Sequence, residues 1–100
     1  MTTSVELTAD GNLRMSAALA ERHFPHGVLV PLRKGRELWL LPTRGAAAGG
    51  LLLKVRNAAG ERSVLVRESL GEELTPGPRP AFWDDFQGAL RIVIVLESPS

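Results

Sequence analysis

Two histidines, His23 and His26, stand three residues apart, a spacing that on an unbroken helix brings two imidazoles to one face, as a zinc site requires. Pro25 falls between them and breaks that geometry. No third histidine and no cysteine exists to complete a ligand set, so the pair reads as the end of a helix and no metal is expected. Nucleophilic chemistry would draw on Ser16, Ser63, Ser69 or Thr43, with one of the same imidazoles as base. No Gly-x-Ser-x-Gly elbow frames any of them, and Ser16 is placed to cap a helix. The carboxylate pairs Glu72-Glu73 and Asp84-Asp85 are adjacent, which in a strand sends the two side chains to opposite sides and prevents a shared proton. The expectation is therefore no enzyme, no cofactor and no cleft furnished with reactive groups.

Binding chemistry is better represented. Phe82-Trp83-Asp84-Asp85-Phe86 holds three of the five aromatic residues and follows the proline-rich entry Thr75 to Pro80. In strand geometry Phe82, Asp84 and Phe86 share one face, leaving Trp83 and Asp85 on the other. Trp83, Asp84, Asp85 and Arg79 form the candidate interaction patch, since tryptophan is enriched where binding energy concentrates. The competing reading makes Trp83 a core residue whose indole N–H meets a loop carbonyl. Arg33, Lys34 and Arg36 form the densest basic cluster, with Arg44 joining it if the hairpin folds back beside its own exit. Such a cluster could contact an anion or nucleic acid, or be the solvated tip of a hairpin. The loop 45–50 lacks the Gly-Lys-Ser/Thr ending of a phosphate-binding loop and reads as a mobile connector.

These residues need a scaffold, and the hydrophobic pattern supplies one. Ser4 to Ala9 reads as a strand closed by Asp10-Gly11, with Leu13 and Met15 continuing a hairpin. Ser16 caps one short helix through Arg22, stopped by Pro25. Val28 to Leu32 and Glu37 to Leu41 form a hairpin that ends at Pro42. Leu51 to Arg56 and Arg62 to Leu70 form another, with Leu51, Leu53 and Val55 on one face of the first strand. The prolines at 76, 78 and 80 make Gly71 to Pro80 an extended loop. Ala81 to Phe86 resumes structure, and Ala89 to Leu96, apolar on both faces, is a central strand. The fold class is mainly β, α+β with one short helix: an antiparallel sheet or small barrel of six to seven strands. Residues 1–97 make one compact domain, with halves 4–43 and 51–97 joined by loop 44–50, and 98–100 form a frayed tail.

The order of features from Val5 to Thr43 is similar to that of AbrB-type swapped-hairpin DNA-binding domains: a strand, Asp10-Gly11, Leu13-Arg14-Met15, a helix, then Val28-Leu29-Val30 and Leu38 to Pro42. It departs from them in Asn12 after Gly11, and in Ser16 where a proline stands ahead of their helix. The resemblance implies swapped hairpins and DNA binding.

The 100 residues carry 12 Lys+Arg against 11 Asp+Glu, a net charge of +1 that names no partner by bulk attraction. The first 60 residues are basic by four charges and the last 40 acidic by three, an asymmetry best satisfied within the fold. Without cysteine, stability must come from the core. The N-terminal stretch has no signal-peptide pattern and no apolar run nears a membrane span, so a soluble cytoplasmic protein is expected. The first functional reading is a non-catalytic protein-interaction or accessory module, its partner another protein and a homodimer allowed. The alternative is a dimeric nucleic-acid-binding regulator using Arg33, Lys34, Arg36 and Arg44. The second alternative is an enzyme with a pocket formed between subunits.

Overall fold

Antiparallel pairing runs through every strand contact of the computed structural model, which describes residues 2–44, 50–71 and 75–95. The elements are β1 (Thr2–Leu7), β2 (Asn12–Met15), α1 (Ala17–His23), β3 (Val28–Lys34), β4 (Glu37–Pro42), β5 (Leu51–Leu52), β6 (Lys54–Val55), β7 (Arg62–Leu65), α2 (Arg67–Leu70), β8 (Gly77–Asp84) and β9 (Ala89–Val93). The class is mainly β as expected, with nine strands rather than six to seven. Loop residues 45–49, the pair Glu72-Glu73 and the tail 98–100 lie outside the described residues.

The strand order is β5-β3-β4-β9-β8-β1-β2-β7-β6. Its two ends, β5 and β6, are consecutive in the chain and separated only by Leu53. The stretch expected as one strand therefore pairs with β3 through Leu51 and Leu52, then with β7 through Lys54 and Val55. At the step, the Leu53 N–H donates to the Gly27 carbonyl at 2.8 Å. This change of partner bends the sheet into a nearly closed barrel. Leu51 and Leu53 pack against the core as their alternation requires, whereas Val55, of the same parity, is exposed beside Arg62 at the outer end of the hairpin.

Two other expectations are corrected. The reading of Arg62 to Leu70 as strand fails after Leu65: the Val66 N–H donates to the Gly11 carbonyl at 2.9 Å, and the chain turns through α2 to bury Val66 and Leu70. Gly77 to Pro80, expected in a loop, belongs to β8. The prolines are tolerated because β8 pairs with β1 from Gly77 to Phe82 but with β9 only from Ala81 to Asp84. Pro78 and Pro80, two apart, turn to the same side, where their missing N–H leaves no ladder bond unmade. Arg79 points inward between them, and its Nε donates to the Ile94 carbonyl at 2.9 Å, joining β8 to the chain just past β9.

The core is aliphatic, as the scarcity of aromatics dictates. Leu7, Leu13, Leu29, Leu38, Leu40, Leu90 and Ile92 are fully shut from solvent, each contributing about 2 kcal/mol by burial. β9 lies between β4 and β8, the central place expected of it, but it is not buried on both faces: Leu90 and Ile92 enter the core, while Arg91 on the other face is partly exposed and ion-paired. At one end of the barrel Ala20 and Phe24 of α1 and its C-cap complete the core; α2 supplies Leu70 elsewhere. Ser16 caps α1, its Oγ accepting from the Leu19 N–H at 3.2 Å, and the helix stops with the Phe24 N–H on the Ala20 carbonyl. Among the described residues no helix is long and apolar enough to cross a membrane.

Candidate functional site

α1 lies across the end of the sheet where β4 and β8 finish and β1 and β9 begin, the four being laced there by Thr2 to Phe82, Trp83 to Leu90 and Leu90 to Leu40 pairings. Between helix and sheet opens a cleft of about 830 Å³, within the range of ligand-sized pockets. The helix contributes Ser16, Ala18, Leu19, Arg22 and His23, its exit Pro25 and His26, the end of β4 Thr43 and Arg44, and the β8–β9 hairpin Trp83, Asp85 and Leu90. The Ser16 cap sets where the helix starts, and Pro25 forces the chain to leave it with His26 still at the rim.

Trp83 is the centre of this arrangement. It is half-buried against the core, its ring stacks on the His23 imidazole with centroids 4.3 Å apart and planes 14° from parallel, and its indole N–H donates to Asp85 Oδ1 at 2.7 Å. The indole partner is thus a carboxylate two residues on, where a loop carbonyl was expected. Burial pushes the His23 pKa down and the charge of Arg22 pushes it further, with Asp85 pulling weakly the other way. Near neutral pH burial and Arg22 thus keep the imidazole uncharged.

A cleft lined by two imidazoles and a carboxylate overturns the expectation that none would carry reactive groups. Neither Asp85 nor Ser16 is joined to an imidazole. The Asp85 oxygen is bonded to the indole, and Ser16 is occupied by its helix cap; a base oriented by an acid toward a hydroxyl is the arrangement nucleophilic catalysis needs. Among the described residues no three His, Cys, Asp or Glu side chains converge as a metal site demands.

No family model, curated protein or solved structure matches the chain. The likeness of residues 5–43 to swapped-hairpin domains rests on the order of elements alone.

The structure separates the residues of the candidate interaction patch. Trp83 and Asp85 meet in the cleft. Asp84 lies on the outer face, accepting from the backbone N–H groups of Phe86 and Gln87, both at 3.0 Å, and from Arg91. Arg79 is 5% exposed and donates to the carbonyls of Ile94, Pro78 and Thr75. The basic cluster is divided as well. Arg33, Lys34 and Arg36 surround the β3–β4 turn, while Arg44 lies past the other end of β4, roughly 20 Å away along a six-residue strand. The hairpin runs straight, so its exit does not fold back to its tip.

Sequence reasoning missed one further group. Arg91 on β9 is flanked on the outer face by the rings of Trp39 at 4.9 Å and Phe82 at 4.8 Å, and it donates to Glu37 and Asp84. The register of the three strands β4, β9 and β8 places these side chains side by side, and register between distant segments leaves no local trace in a sequence.

Proposed function

We propose that this protein is a non-catalytic interaction module whose working surface is the cleft beneath α1, with Trp83 as the anchor a partner protein packs against. The observation that carries this reading is the placement of Trp83: a large, rigid ring, half-buried, with its polar edge already fixed by Asp85 and one face braced by His23. A ring so held loses little freedom when a second surface covers it. Asp85 is bonded to an indole and Ser16 to its own helix, so neither is committed to an imidazole as turnover would require, which favours binding.

The test is photo-crosslinking in the cell of origin from Ala18, an exposed residue of the cleft wall, with exposed Lys54 as the remote control. One protein trapped from Ala18 and not from Lys54 should then bind the purified module, with affinity reduced at least about tenfold by Ala18→Trp, which fills the cleft from the helix surface without touching the core. Equal trapping from both positions, or unchanged affinity in Ala18→Trp, defeats the reading.

A further inference from the structure

Arg22 and Arg44 reach the same cleft from different elements, one from the last turn of α1 and one from the chain leaving β4. Neither takes part in an ion pair among the described residues. Asp85, the carboxylate in the cleft, is turned to the indole N–H of Trp83. Two guanidinium groups against one carboxylate leave the cleft a surplus of one positive charge, beside apolar walls formed by Leu19, Trp83 and Leu90. We propose that the occupant of this cleft is an acidic segment of the partner protein, an aspartate or glutamate beside an apolar side chain, its carboxylate held between Arg22 and Arg44. This inference rests on the interaction-module reading and adds the chemistry of the partner.

The charge count selects the class of partner. A carboxylate brings one negative charge, matching the surplus; a phosphate monoester brings close to two and exceeds it. A nucleic acid needs a track of cations along its backbone, whereas Arg33, Lys34 and Arg36 lie at the opposite end of β4 from Arg44. Arginine suits the role because its planar fork can pair both oxygens of a carboxylate at once. An apolar neighbour on the ligand has the exposed part of the Trp83 side chain in the cleft to cover.

The experiment is an NMR titration of the isotope-labelled protein with the peptide acetyl-Ala-Leu-Asp-Leu-Ala-amide, and in parallel arms with its Asn counterpart, inorganic phosphate and a single-stranded oligonucleotide. The Asp peptide should shift the backbone signals of Ala18, His23 and Arg44 saturably and bind at least about fivefold more tightly than the Asn peptide, as loss of a charge-assisted bond predicts. Arg22→Gln and Arg44→Gln, both at exposed positions, should each erase that preference, while Lys54→Gln leaves it intact. Equal binding of the two peptides overturns the carboxylate assignment while leaving the interaction module standing. Tighter binding of phosphate or of the oligonucleotide overturns it in favour of that ligand. Absence of any shift from the Asp peptide also overturns it; the crosslinking result from Ala18 then judges the interaction module separately.

Discussion

The imidazole of His23 lies 4.3 Å from the indole of Trp83 and nearly parallel to it, so one residue from the end of α1 and one from the end of β8 clamp the helix to the sheet. The cleft owes its shape to this clamp.

Shortening Trp83 should loosen it. Trp83→Ala removes the stack, the indole hydrogen bond and part of the core edge, and should lower stability by about 2 to 3 kcal/mol, below the range for fully buried tryptophan because this ring is half-exposed. Trp83→Phe keeps a stacking ring and loses the bond to Asp85, for about 1 kcal/mol. Urea unfolding of the two variants measures both.

The same stack is sensitive to acid. His23 binds its proton less readily folded than unfolded, because burial and then Arg22 disfavour the charged ring. The unfolded chain therefore takes up protons first as pH falls below the ordinary imidazole value of 6.5, and stability drops through that window until the folded imidazole is itself protonated. Melting temperatures recorded between about pH 7.5 and 5 should fall in the wild type, and His23→Gln should flatten the slope. A slope unaltered in His23→Gln would contradict this account.

On the outer face the direction is the same, with a different origin and a lower pH. Glu37 is held below the usual carboxylate range chiefly by its bond from Arg91, and Asp84 chiefly by the Gln87 backbone N–H and then by Arg91. Folding therefore favours both ionised forms. Their stabilisation is complete above the ordinary carboxyl range and disappears as pH falls through the lowered folded values. Glu37→Gln should weaken the protein near neutral pH and shrink its loss of melting temperature on acidification below about pH 5, as seen in thermal melts across that range.

Arg79 should tolerate no replacement. Its side chain is buried and serves three backbone carbonyls, that of Ile94 in a buried bond, so Arg79→Ala leaves that acceptor unpaired and empties the space the side chain fills, and should cost about 3 kcal/mol. Arg79→Lys, with a point charge in place of a fork, should recover less than half of the loss. A lower urea midpoint with an unchanged slope would locate the effect in the folded state.

Gly11 is restricted on two counts. Its φ is 89°, and a Cβ placed there would sit 2.6 Å from Cβ of Arg67, where the β1–β2 turn meets α2. Gly11→Ala should destabilise by more than about 1 kcal/mol, readable in the same urea titration.

Much of the fold is legible because its signals are local. Ser16 and Pro25 bracket α1, Asp10-Gly11 and Gly35 mark turns, and the alternation of Leu90 and Ile92 marks the face that β9 buries. What escapes reading is set by distant pairing. Pro78 and Pro80 look like loop until β1 is seen to run beside them and β9 to stop short of them. Val66 looks like strand until Gly11 accepts its N–H. At the site, Trp83 and Asp85 are conspicuous in sequence. Their meeting with Arg22, His23 and Arg44 depends on α1 crossing the barrel end, and no short-range spacing encodes that crossing.

The segment from Leu51 to Val55 gives two residues to β3 and two to β7, with Leu53 between them. It works as a clasp. If it lets go, seven strands from β3 round to β7 stay hydrogen-bonded in one unbroken ribbon, and every wall of the α1 cleft belongs to that ribbon, the helix or their connections. Amide exchange should accordingly be fastest at the clasp, while the cleft, on separate timber, keeps its form.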